Sequence, residues 1–436
     1  MKKTLIYMLI LLVAGTSSCN NEYLNPSAAD QDALLKDASG VGFVSLANAL
    51  QYRFSVGQNS PCYSVPATSL LLAKQMNVLN AGNTGEQQLM QGGHGLLGNN
   101  SVLTNIWNES QVIRSNADMI LNHLSAVVDQ GMKGALHAHA AVFKAMALGN
   151  LALFWENAPV ATKTNAPFVS RLEVLKIAIS TLEAASAEFK KAAPSDVFKA
   201  KIAGGIDYAN TINALIARYA MMAGDYDKAL DAARKVSLDK AVKSFFSYDD
   251  LTRNALFVSA FSNRNLIEPI DTSFGLPKEL QPASSDKRIA FFFTLSGGVA
   301  GKKNRAFGSF YNSNSSPVPL YRGGEVTLLK AEAYVRKASP DLNAAVAELN
   351  EVLTKKPDKD AWGIGADLPA YSGGMTAQEI LAEIFRQRTI ELYIGGMQLE
   401  DSRRFNRPES ERGRNFLPYP FSERDNNINT PPDPIF

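Results

Sequence analysis

Two stretches far apart in the chain, DYANTINALIARYAMMAGDYDKALDAARKV (207–236) and GGEVTLLKAEAYVRKASPDLNAAVAELNEVLTKKP (323–357), share one spacing. In each, two alanines lie twelve positions apart: Ala217 and Ala229 in the first, Ala333 and Ala345 in the second. Gly224 and Tyr226 stand between the first two, and Pro357 closes the second stretch. Alanine lets two helix backbones approach closely, glycine permits the turn between them, and apolar residues at helical period supply a buried face on each arm. The spacing therefore predicts antiparallel helix pairs, and a chain organised around such pairs is all-α.

Small residues at the helix contact, a glycine turn and an aromatic opening the second helix are the marks of a tetratricopeptide-like repeat. Two further pairs are expected at 137–189, split by an insertion around Pro159, and at 376–405. Single helices are expected over 101–129, 134–155 and 170–192 from their apolar period. The segments 51–100, 237–322, 357–375 and 406–436 are rich in Gly, Ser, Asn and Pro and read as long irregular surface loops on the helical scaffold. The end, LPYPFSERDNNINTPPDPIF (417–436), reads as extended because proline cannot continue a helix.

The chain opens with Lys2 and Lys3, then ten apolar residues, Leu5–Ala14, within the about 7–15 expected of the core of an export signal. Gly15, Thr16, Ser17 and Ser18 follow, and then Cys19. Residues 1–18 are expected to be a lipoprotein signal peptide and Cys19 to carry the anchor, including a palmitate-type chain, with residues 19–436 forming one domain. Thr16 stands where such signals usually carry Leu. Two or three acyl chains hold a protein to a membrane where one binds reversibly. The other cysteine, Cys62, then has no intramolecular disulfide partner. Without Lys2 and Lys3 the chain has 42 basic and 42 acidic residues, so nothing in its charge favours nucleic acid.

Several segments together resemble the SusD/RagB family of Bacteroidetes outer-membrane nutrient-binding lipoproteins. CNNEYLNP (19–26) resembles the family's lipidated start, and WNESQVIRSNADMIL (107–121) its early helix. GNLALFWENAPV (149–160) resembles an aromatic helix running into a proline turn. DKRIAFFF (286–293) resembles an Asp-x-Arg segment, and YRGGEVTLLKAEAYVR (321–336) is the nearest match. IFRQRTIELYIGGMQLEDSRR (384–404) follows the pattern except that Gln387, Gly395 and Gln398 replace charged residues. There Arg388, Glu391, Asp401 and Arg404 remain to form an internal ion-pair network, since buried guanidinium and carboxylate groups require partners. The resemblance implies a SusD-like helical scaffold at the cell outer membrane, lipid-anchored and surface-facing. It implies capture of an oligosaccharide, or in some members a peptide, for a SusC-like TonB-dependent transporter, with no enzymatic activity and no cofactor. The alternatives are the same fold binding peptides, a helical surface glycosidase, or a scaffold for another protein.

Sugar capture needs exposed aromatic faces beside amides and charged groups, because a pyranose presents one C–H-rich face and a rim of hydroxyls. The candidate rings are Tyr63, Phe310, Tyr311, Trp362 and Tyr371, with Tyr52 and Phe307 among other loop aromatics. Arg305, Asn312 and Asn314 are the polar neighbours in KKNRAFGSFYNSNSS (302–316), which has no apolar period. Trp107 and Trp155 fall on helices and read as core. His137 and His139 are two apart and point to different sides of a helix, so no metal site is expected.

Overall fold

Most of the long helices start at a residue whose side chain caps them. The computed structural model describes residues 31–262, 266–296, 304–306 and 310–435. In chain order the helices are α1 (Gln31–Leu35), α2 (Val41–Ser55), α3 (Pro61–Leu72), α4 (Thr84–Gln91), α5 (Ser101–His123), α6 (Gln130–Phe154), α7 (Arg171–Phe189), α8 (Asp196–Lys201) and α9 (Tyr208–Ala223). They continue with α10 (Tyr226–Ala233), α11 (Lys287–Phe292), α12 (Gly323–Arg336), α13 (Leu342–Leu353), α14 (Ala377–Glu391), α15 (Gln398–Arg404) and α16 (Phe421–Asn426). Asn100, Asp129, Ser170, Asp207, Asp225 and Asp341 each accept backbone N–H bonds from the first turn they precede. Thr376 and Glu379 cap α14 reciprocally. Such side chains satisfy amides that the helix itself leaves without partners.

The fold is the expected tetratricopeptide-like helical scaffold with irregular connections. α6 packs on α7, α9 on α10, α12 on α13 and α14 on α15, and α7–α9, α10–α12 and α12–α14 contacts join successive pairs. Ala217, Ala229, Ala333 and Ala345 are all fully buried. Gly224 ends α9 at φ 78°, a left-handed conformation that costs glycine little. On α6, Gly149 faces the Tyr219 ring, and a Cβ there would lie 2.5 Å from it. His139, fully buried on the same helix, meets the Ala47 carbonyl of α2 at 2.9 Å and the Tyr208 hydroxyl at 2.9 Å. Burial pushes its imidazole down to about 4, and neither ring nitrogen is free to hold a metal. Trp107 and Trp155 meet edge to face in the core, ring centroids 4.9 Å apart.

Strands are short and link the connections in antiparallel pairs. β1 (Met76–Val78) pairs with β5 (Ile267–Pro269), β2 (Asn157–Pro159) with β3 (Phe168–Ser170), β4 (Phe245–Phe246) with β8 (Val318–Pro319), and β6 (Thr294–Ser296) with β7 (Asn304–Ala306). Among the described residues no helix is long and apolar enough to cross a membrane.

Two expectations about the connections need correction. The segment 51–100 is largely helical, in the end of α2 and in α3 and α4. α3 is buried at all twelve positions and contains Pro66, so it shows neither an amphipathic period nor a helix-like composition. The proline-rich end also contains a helix, α16. Pro420 stands just before its first residue, where a missing N–H costs nothing.

The expected ion pairs form, in two buried clusters, with Arg388, Asp401 and Arg404 in one and Glu391 in the other. Arg388 grips Asp401 with two bonds of 2.9 and 3.0 Å. Arg404 grips Glu332 with bonds of 2.8 and 2.9 Å and reaches Asp401 at 2.7 Å. Arg288, fully buried, donates to both oxygens of Asp286, to Glu391 at 3.0 Å and to the Gln387 carbonyl at 2.5 Å. Gln387 thus keeps an acceptor in the network without a charge. Lys355 joins Glu391 at 2.6 Å to Asp360 at 2.8 Å, and Asp360 in turn accepts the Trp362 and Ile364 N–H groups.

Candidate functional site

The exposed aromatic of α2 is Tyr52, 58 % exposed, and it stands in a cleft of about 890 Å³. Several regions of the chain build the walls. α2 contributes Asn48, Gln51, Tyr52 and Arg53; α5 contributes Glu109 and Asn116; the connection after β4 contributes Ser247, Tyr248, Asp249 and Thr252. The floor is rigid. Phe54, next to Arg53, lies against Phe143 and Phe246 with centroids 5.7 Å away in both cases. Tyr248 donates its hydroxyl to the Ser55 carbonyl at 3.1 Å. Asn48 clamps the far wall, accepting the Ala203 N–H at 2.7 Å and donating to the Lys201 carbonyl at 2.9 Å.

Polar groups at the rim are held in place. Arg53 donates to both oxygens of Glu109, at 2.5 and 3.0 Å. Asn105 donates to Asn59 at 3.0 Å. Asp249 accepts three bonds on one oxygen, from the Leu251 and Thr252 N–H groups and the Thr252 hydroxyl. These bonds hold the Asp249 carboxyl below the usual carboxylate range, so it stays ionised near neutral pH. The arrangement offers a flat ring, preset amides and a fixed charge, which suits recognition of a hydroxyl-rich ligand.

The candidates from sequence distribute unevenly. Tyr63 is 1 % exposed on α3 and its hydroxyl lies 3.5 Å from Glu86, so it is core and not a loop platform. Phe310 and Tyr311 are likewise interior, at 7 % and 1 % exposure. Phe310 packs on Phe291, Phe292 and Tyr311, with the Arg322 guanidinium 4.7 Å from its ring centre. A short polar stretch without apolar period hides such anchors, because two rings suffice to pin it. Asn312 is exposed, and its carbonyl accepts the Ser316 hydroxyl at 3.1 Å. The Asn314 backbone carbonyl accepts the Asn254 N–H at 2.8 Å. Asn254 bridges Val56, a lining residue of the Tyr52 cleft, so the described end of this loop abuts that cleft. Arg305 is placed by its backbone in β7, opposite Leu295. Cys19, the 1–18 segment and Phe307 lie outside the described residues.

Trp362 and Tyr371 are half-buried. Tyr371 donates its hydroxyl to the Gly374 carbonyl at 2.9 Å and packs on the cluster formed by α12, α13 and α14. Trp362 lines a separate cavity of about 730 Å³, which shares no lining residue with the Tyr52 cleft. Lys243 lies 5.0 Å over its ring. That cavity is lined by Lys243, Lys330, Lys355, Lys356 and Lys359 with four carboxylates. Tyr52, by contrast, is exposed; the sequence places it among the loop aromatics outside the first-named candidate rings, and the structure places it on α2. Its signal was an aromatic beside Arg and Gln on a helix whose next apolar residue, Phe54, points inward. Among the described residues no group of three or more His, Cys, Asp or Glu side chains could hold a metal ion.

Residues 279–430 match the SusD family model. No curated protein matches the chain. Solved structures match it over most of its length. A SusD superfamily protein from Bacteroides vulgatus ATCC 8482 superposes with a TM-score of 0.70 at 15 % identity, covering 91 % of this chain and 99 % of the other. A SusD-like carbohydrate-binding protein from Bacteroides fragilis NCTC 9343 gives a TM-score of 0.69 at 16 % identity, with 91 % and 99 % covered. A SusD-like carbohydrate-binding protein from Bacteroides vulgatus ATCC 8482 gives 0.65 at 17 % identity, with 84 % and 83 % covered. The resemblance to the SusD/RagB family drawn from the motifs therefore holds in sequence over 279–430 and in fold over most of the chain.

Proposed function

We propose that this protein binds oligosaccharides in the Tyr52 cleft and delivers them to a SusC-like TonB-dependent transporter. It does so from the outer membrane, facing the cell surface and anchored by acyl chains on Cys19. The observation that carries the reading is the exposed Tyr52 ring set among fixed amides on a scaffold shared with carbohydrate-binding SusD-like proteins. A sugar's C–H face stacks on the ring while its hydroxyls meet Asn116, Asn59 and the Arg53–Glu109 pair. Binding without turnover fits the carboxylates present. Glu109 is committed to Arg53, and Asp249 is held ionised and has no proton to donate to a leaving group. Trp362 is the second candidate ring, in its own cavity.

Tyr52→Ala tests the site. Removing an aromatic platform costs about 0.5–1.5 kcal/mol of contact energy, roughly a 2- to 12-fold loss in affinity for a captured glycan measured by calorimetry. Unchanged affinity removes the cleft from consideration, and the same measurement on Trp362→Ala addresses the second cavity. A peptide pool that binds where glycans do not favours the peptide alternative. Cys19→Ala is expected to move the protein from the membrane fraction to the soluble one; continued sedimentation with membranes refutes the anchor.

A further inference from the structure

We infer that the Tyr52 cleft selects uncharged oligosaccharides and discriminates against uronate-bearing and sulfated ones; the inference rests on the reading of that cleft as the glycan site. Three charged side chains line it: Arg53, Glu109 and Asp249. The one cation is already paired, since its Nε–Nη2 edge faces the Glu109 carboxylate. Asp249 has no salt-bridge partner among the described residues and uses a single oxygen to close its own turn, which leaves a standing negative charge at the rim. A carboxylate or sulfate entering the cleft meets a net charge of the same sign, and the one cation there is already neutralised by Glu109.

The floor points the same way by a different route. Gln51 is 4 % exposed and lines the cleft, and among the described residues its side-chain carbonyl oxygen, itself buried, meets no donor. What this group lacks is a proton donor. Turned toward the cleft, it accepts from a sugar hydroxyl, whereas an ionised carboxylate or a sulfate ester provides only acceptors. The Trp362 cavity shows the contrast within one molecule, because five lysines against four carboxylates line it.

The test measures affinities of the full mature protein, its Asp249→Asn variant and its Tyr52→Ala variant. The probes are neutral hexaoses of glucose, xylose, mannose and galactose, together with hexagalacturonate. A neutral hexaose is expected to bind at least about fivefold more tightly than hexagalacturonate, the factor set by one unit charge at roughly 4 Å in water. Asp249→Asn is expected to narrow that ratio, and so is raised salt, because exposed charges are screened. Asparagine retains the oxygen that closes the turn, so the ratio reports charge and not loop collapse. Hexagalacturonate bound by the native protein as tightly as any neutral hexaose, with Tyr52→Ala abolishing that binding, overturns the charge rule and leaves the cleft standing. An Asp249→Asn ratio equal to the native one also overturns it. No hexaose bound, or binding indifferent to Tyr52→Ala, overturns the cleft itself.

Discussion

Arg288→Met is the substitution whose cost the structure fixes most closely. The Arg288 guanidinium is fully buried and donates to both oxygens of Asp286, to Glu391 and to Gln387. Methionine approximates the volume of its stem and removes every donor. Asp286 and Glu391, whose side chains are 1 % and 0 % exposed, then lose their shared cation, and Lys355 reaches only Glu391. Breaking one partner out of a buried charge pair costs about 3–5 kcal/mol, because the remaining charge stays desolvated. For about 400 residues that unfold together, with an unfolding entropy near 2.1 cal/mol/K per residue, that corresponds to a fall in Tm of roughly 4–6 °C. Differential scanning calorimetry on the native protein, Arg288→Met, and Arg288→Met with Glu391→Gln makes the assay complete. The double variant is expected to recover part of the loss, since it removes one of the stranded carboxylates. A single variant that melts within 1 °C of the native protein, or a double variant that melts lower than the single, refutes the argument that the cation offsets the desolvation of its neighbours.

Three other outcomes follow from local geometry. His139 is depressed to about 4 in the fold against about 6.5 unfolded, so the unfolded chain takes up a proton first as pH falls. Stability is therefore full above about pH 6.5 and is lost between there and about 4, by up to about 3 kcal/mol; urea midpoints at the two ends should show it, with a flatter profile in His139→Gln. Gly224→Ala places a Cβ in open space but at φ 78°, so only backbone strain is added; about 1–2 kcal/mol of lost stability is expected by chemical denaturation. Ala217→Trp overfills the fully buried contact of α9 and is expected to lower the yield of folded protein, visible as lost helical circular dichroism.

The helix pairs were legible because each carries two local signals at once, an apolar period and a turn or cap residue. Ala217, Gly224 and Ala229 say where two helices touch before any long-range contact is known. α3 was illegible for the opposite reason: wrapped on all sides, its sequence varies with packing and shows no face. The ion-pair partners Arg388 and Asp401 could be read from the chain, but Lys355 and Asp360 could not, since only the fold brings that connection to Glu391. The rings divided in the same way. Polar surroundings in sequence marked Phe310 and Tyr311 as exposed, whereas Arg322 and Phe292, distant in the chain, bury them. Tyr52 was named without emphasis because its neighbours at the cleft, Glu109 and Asp249, are about 57 and 197 positions away.

The turn at 249–252 closes on itself. Asp249 and Thr252 satisfy each other, while Asp250 and Leu251 point outward, Leu251 at 92 % exposure. Nothing behind the tip depends on what those two residues are. Substitutions at those two positions, which do not line the cleft, are therefore tolerated by the fold, while the helices beneath drift under stricter rules. A library randomised at positions 250 and 251 should yield mostly well-folded proteins.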